Sequence, residues 1–67
     1  MRYFVRVSRR GKPEEPFGWE ICREADSVET HRSTRTFATR IEALLDSVRT
    51  AADLALVMVV DTTQSDG

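Results

Sequence analysis

The side chains of this sequence that could relay a proton or attack a substrate are few. His31 is the only imidazole in 67 residues, Ser33 stands close after it, and Cys22 is the only thiol, with Arg23 adjacent. A histidine that works as an acid or base needs a nucleophile and an orienting partner at hydrogen-bond range. A reactive cysteine needs neighbouring cations that favour its thiolate. Sequence neighbours give His31 no triad partner, so it reads as a histidine on a polar strand; Arg23 adjoins Cys22, but a packed or idle thiol is the commoner case, partly exposed opposite Trp19 and Ile21. A single cysteine makes no internal disulfide, and with one histidine it cannot complete a structural zinc site. No phosphate-cradling glycine loop, zinc-binding helix motif, cysteine pair or paired-carboxylate motif occurs. The residues therefore imply no cofactor and no metal, and a thiol-dependent enzyme is the least supported class.

Arginine is the other residue type with chemistry to offer. Nine Arg and one Lys face eleven Asp and Glu, for a net charge of -1, which gives no overall attraction to nucleic acid or to an anionic membrane. The charge is nonetheless laid out in blocks of +5 over residues 1–12, -5 over 13–29, +3 over 30–40 and -4 over 41–67. Arg2, Arg6 and Arg32, with Arg35 just beyond, are the candidate nucleic-acid contacts: on one sheet face they could hold a phosphate backbone while Phe4 or Trp19 stacks bases. The competing reading is a face solvated by cross-strand Arg–Glu pairs.

These residues must be positioned by a small set of elements. Residues 2–8 alternate Tyr3, Val5 and Val7 against Arg2, Arg6 and Ser8, the period of a half-buried strand. Residues 9–16 hold one Gly and two Pro and read as a long, mobile loop. Residues 17–24 alternate Phe17, Trp19 and Ile21 against Gly18, Glu20 and Cys22, a second strand that pairs with the first as an antiparallel hairpin. After a turn at Ala25-Asp26-Ser27, the Thr-rich stretch 28–34 reads as a weak polar strand. Thr39-Arg40-Ile41-Glu42 fits a capping box, and Ile41, Leu44, Leu45, Val48 and Ala52 follow at helical spacing, predicting one buried stripe that covers the sheet. Residues 54–60 are all apolar and read as a strand buried on both faces, with Val57 and Val59 pointing one way and Leu56, Met58 and Val60 the other. Residues 62–67 have nothing to bury and are expected as a disordered tail.

One domain, 1–67, is all that this length permits. A chain of about 60 residues buries only about 60% of its unfolded surface, and without disulfide or metal the remaining source of stability is association. Trp19 and the apolar run Leu56, Val57, Met58, Val59 and Val60 are the candidate dimer interface. No stretch reaches the roughly 18 to 20 apolar residues that span a bilayer, and the start has no signal-peptide pattern, so the expected location is the cytoplasm.

The order of these pieces resembles the YegP-like family of small uncharacterised bacterial proteins. The similarity lies in Phe17 to Ile21 after Tyr3 and Phe4, in Ser33-Thr34 before Phe37, in Thr39-Arg40 at the helix start, in Leu45-Asp46-Ser47-Val48-Arg49, and in Val59-Val60-Asp61-Thr62. It spans nearly the whole chain, departing where Ala25-Asp26-Ser27 replaces the family's Asn-Gly turn. The resemblance implies an α+β unit of three antiparallel strands, one helix and a C-terminal strand that occurs as a tandem repeat or as two subunits, joined in one continuous sheet with the C-terminal strands exchanged. It carries no established activity. The expected function is a small homodimeric interaction or regulatory module, with nucleic-acid binding through the arginine face as the alternative.

Overall fold

A computed structural model describes residues 1–59. In chain order β1 is Arg2–Lys12, β2 Glu15–Arg23, β3 Glu29–Arg32, α1 Arg40–Asp53 and β4 Val57–Met58. The strands form one sheet in the order β3-β2-β1-β4, antiparallel except for the parallel β1–β4 pair. The fold is α+β with a mixed sheet of four strands rather than three, because the crossover through α1 returns β4 to the free edge of β1. Val60 and residues 61–67 lie outside the described residues.

The first hairpin is tighter than the sequence suggested. Residues 9–16, expected as a loop, extend both strands to a turn at Pro13-Glu14, with Lys12 opposite Glu15. Pro13 brings the φ that a first central turn position requires. Pro16 lacks an N–H, and the ladder accommodates it with a bulge: between the Arg9–Phe17 and Lys12–Glu15 pairs, Arg10 and Gly11 stand against Pro16 alone. At the next turn Ser27 takes a φ of 60°, while the Asp26 carboxylate accepts from Val28 N at 3.2 Å and from Arg23 at 2.8 and 3.1 Å.

The register sets Val5 opposite Ile21 and Val7 opposite Trp19, so the apolar sets of β1 and β2 share the face that α1 covers. The core comprises Phe17, Trp19, Ile21, Phe37, Ala43 and Ala51. Tyr3, Val5, Val7, Leu56 and Met58 pack against it and remain partly exposed. Phe37 lies outside the regular strands and joins through a reciprocal main-chain pair with Phe17, at 3.0 and 2.7 Å.

Helix α1 starts at the expected cap. Thr39 Oγ1 accepts from Glu42 N at 3.1 Å, and the Glu42 carboxylate accepts from Thr39 N at 3.3 Å. The face it buries is not the expected one. Ala43, Ser47 and Ala51 are buried, whereas Ile41 is 67%, Leu44 44%, Leu45 62% and Val48 53% exposed, and Ala52 is exposed too. The reason is volume: Phe17, Trp19 and Phe37 already fill the space above the sheet, so α1 docks on a row of small residues one turn apart. Ser47 can be buried there because its hydroxyl donates to Leu44 O at 2.6 Å.

Residues 54–59, the described part of the apolar run, are likewise not one doubly buried strand. Leu54 caps α1, Leu56 N donates to Ala51 O at 2.9 Å, and Ala55 N donates to Ala52 O at 3.1 Å with Ala55 at φ 57°. This is a Schellman ending in which alanine occupies the left-handed position that glycine favours. Among the described residues of the run, Val57 and Met58 pair, opposite Arg2 and Tyr3, and Val59 N donates to Tyr3 O at 2.8 Å. An edge strand has one covered face: Met58 is half-buried on the helix side with Tyr3, and Val57 is 59% exposed on the other.

Candidate interaction surfaces

The sheet face turned away from α1 is built around a buried carboxylate. Glu20 is 3% exposed. Ser8 Oγ donates to both its oxygens at 3.0 and 3.3 Å, Arg10 Nε donates at 3.0 Å and Arg6 Nε at 3.5 Å. A buried carboxylate is tolerable only with such partners. Arg10 continues as a staple to the end of β3: its Nη2 donates to Ser33 O at 2.8 Å, Ser33 Oγ at 2.7 Å and Trp19 O at 3.4 Å. Its guanidinium lies over Gly18, where a Cβ would come within 2.6 Å of Cζ. Ser33 closes the network by accepting from Trp19 N at 3.1 Å.

Of the four arginines singled out as nucleic-acid contacts, Arg6 and Arg32 share the face turned away from α1 and converge on Glu29. Arg2 is bound to Glu24 at 3.0 and 3.3 Å, Arg6 lies between Glu20 at 3.5 Å and Glu29 at 4.0 Å, and Arg32 forks onto Glu29 at 2.6 and 2.9 Å. Arg35 stands past β3, its Cζ 4.8 Å from the Phe37 ring centroid. Three of the four thus already face a carboxylate: Arg2 and Arg6 pair across strands, as weighed from the sequence, and Arg32 pairs within β3. The Arg32 hydrogen bond, followed by the charges of Arg32 and Arg6, holds Glu29 below the ordinary carboxylate range, and Arg32 is raised in turn. Arg23 and the Val28 N–H do the same to Asp26.

The acid–base candidates are kept apart. His31 pairs with Ile21 on the α1 side, whereas Cys22, next along β2, points to the opposite face beside Phe4 and is fully buried rather than partly exposed. The His31 Nδ1 instead lies 2.9 Å from Thr30 Oγ1. Trp19, an interface candidate, is 3% exposed in the chain's own core, and its Nε1 donates to Asp46 Oδ2 at 2.9 Å. Among the described residues no three His, Cys, Asp or Glu side chains gather as metal ligands, and no helix is long and apolar enough to cross a membrane.

What sequence reasoning placed in the core is instead the main apolar surface. At 100° per residue, Asp46 marks the flank of α1 that meets Trp19 and Phe37, and a shallow groove of about 390 Å³ lies there, lined by Glu15, Arg35, Glu42 and Arg49 among others. Leu44 and Val48 occupy the other flank, toward β1, where Tyr3, Val5 and Val7 are only half-covered. Ile41 and Leu45 continue the stripe outward. The signal for this arrangement was present in the Ala43, Ser47 and Ala51 spacing, which marks a close-packing row as clearly as the leucines mark an apolar one. The chain matches no protein-family model, no curated protein and no solved structure.

Proposed function

We propose that the chain is a small non-enzymatic interaction or regulatory module of the YegP-like kind, cytoplasmic, and that it works as a homodimer through the outer face of α1. One observation carries this reading: a 14-residue helix holds Ile41, Leu44, Leu45 and Val48 away from its own core. Side chains of that size in water forfeit much of the stabilisation that burial gives, and contiguous apolar surface of this kind marks contact sites. The arginine distribution supports the same reading, since the guanidinium groups of Arg2, Arg6 and Arg32 are already committed to Glu24, Glu20 and Glu29.

Exchange of β4 between the two copies, as the family resemblance implies, is supported by Ala55. Its left-handed backbone lies in a short connection between α1 and β4, and short connections under strain favour opening in trade for a partner's strand. The test of the reading is Leu45→Asp. Leu45 is 62% exposed, so the variant keeps the native circular dichroism spectrum and loses self-association. A native chain that elutes as a monomer at high micromolar concentration overturns the reading.

A further inference from the structure

The outer face of α1 is self-complementary in charge as well as apolar, and this sets how a second copy would sit on it. Viewed down the helix, Ile41 and Val48 run along the middle of the stripe, Leu44 lies to the β1 side and Leu45 to the other. Beyond Leu45 on that same side come Glu42 and Arg49, seven residues apart and therefore two turns from each other. Both are exposed. Arg49 has no carboxylate within salt-bridge distance among the described residues, and Glu42 touches only the Thr39 cap.

We infer that two copies of this chain pack α1 against α1 antiparallel, about a two-fold axis level with the Leu45–Asp46 peptide, so that Glu42 of each copy meets Arg49 of the other. The inference rests on the dimeric reading above and adds the partner's orientation and register to it. The axis follows from the chain itself: the Leu45–Asp46 peptide lies midway between Glu42 and Arg49. A two-fold there sets both copies of Leu45 side by side, brings both copies of Leu44 together below them, and drops Ile41 of one copy between Val48 and Ala52 of the other. A parallel arrangement would instead set Glu42 against Glu42 and Arg49 against Arg49, and like charges so placed repel.

The area agrees. The four apolar side chains leave roughly 400 Å² exposed per copy, at the scale of the largest patch a monomer shows. Covered on both copies and joined by their charged rims, two such patches approach the roughly 1,000 Å² that a biological interface must clear.

The test is a charge exchange read by native mass spectrometry and by sedimentation. Arg49→Glu sets carboxylate against carboxylate across the interface, and Glu42→Arg sets guanidinium against guanidinium, so each variant alone should self-associate about tenfold more weakly than the native chain. Mixed, they should recover a heterodimer. Arg49→Glu breaks no ion pair or side-chain hydrogen bond among the described residues, and its circular dichroism spectrum is checked as well. Glu42→Arg removes half of the helix cap, so its circular dichroism spectrum is checked at low temperature. Leu45→Cys provides a second readout: copies joined at the two-fold should cross-link under mild oxidation, whereas Asp53→Cys, far from the axis, should not. If the native chain dimerises and Leu45→Asp abolishes this, but Arg49→Glu dimerises like the native chain or the mixture gains nothing, the antiparallel register is wrong and the dimeric reading stands. If the native chain is monomeric, both fail.

Discussion

The indole N–H of Trp19 donates to Asp46 Oδ2 across 2.9 Å, from the middle of the central strand to the middle of the only described helix. That bond holds the roll of α1 that the room left by the aromatic rings permits. With Asp46 turned to Trp19, the small residues Ala43, Ser47 and Ala51 lie inward, and the larger Ile41, Leu44, Leu45 and Val48 are carried out of the core.

Asp46→Ala should therefore cost about 1 to 3 kcal/mol, because it leaves a buried indole donor without its charged acceptor. Asp46→Asn, which keeps an acceptor oxygen, should recover most of the loss. Urea unfolding monitored by tryptophan fluorescence measures both, and equal losses would mean that the bond does not hold the helix.

The sequence shows the start of α1 plainly and its orientation poorly. The Thr39 and Glu42 cap needs only local spacing, and the alternation of Tyr3, Val5 and Val7 with Phe17, Trp19 and Ile21 needs only a period of two, so both are legible. The roll of the helix depends on how much room three aromatic rings leave above the sheet, a quantity that no single segment encodes. Pro13 and Pro16 misled for a related reason: each breaks a regular strand, yet one suits a turn and the other a bulge, and only the β1–β2 register shows the difference. The apolar run 54–60 concealed a helix cap and a left-handed residue, since Leu54 and Ala55 are chemically indistinguishable from strand residues. As for the site, Arg2, Arg6 and Arg32 were visible as a cluster, but the pairing of Arg2 with Glu24 and of Arg6 with Glu20 depends on cross-strand register, while Arg32 pairs with Glu29 within its own strand.

Ala55 offers a stabilising change. Its φ of 57° in the Schellman ending strains an L side chain, and Ala55→Gly should raise stability by roughly 0.5 to 1 kcal/mol even after the added freedom of glycine in the unfolded chain. Thermal unfolding measures this, and a lower melting temperature would contradict the strained assignment.

Within the Glu20 network the two arginines should differ. Arg10 holds Glu20 at 3.0 Å and three oxygens of Ser33 and Trp19, while Arg6 reaches Glu20 at 3.5 Å with its side chain 53% exposed. Arg10→Ala should cost about 2 to 3 kcal/mol, and Arg6→Ala under about 1 kcal/mol. Gly18→Ala should resemble Arg10→Ala, because the new methyl group displaces that guanidinium from its four partners. Equal effects of the two arginine truncations, by chemical denaturation, would refute the staple.

Acid should loosen the β2–β3 turn. The hydrogen bonds from Arg23 and from Val28 N hold Asp26 below its ordinary value of 3.8. A carboxylate whose folded value is depressed lends stability that is complete above its unfolded value and is lost as pH falls through the folded one. Native stability should accordingly decline below about pH 4, with amide protection of Val28 lost in the same range, and Asp26→Asn should flatten that dependence. An Asp26→Asn variant with an unchanged acid profile would show that the turn does not depend on this carboxylate.

Whether the outward face of α1 meets a second copy is measured by sedimentation equilibrium of the native chain from low to high micromolar concentration. Dimerisation through α1 predicts a mass that rises toward two chains of 7.6 kDa each and that stays at one chain for Leu45→Asp under the same conditions. A native particle that remains at the mass of one chain throughout would contradict it.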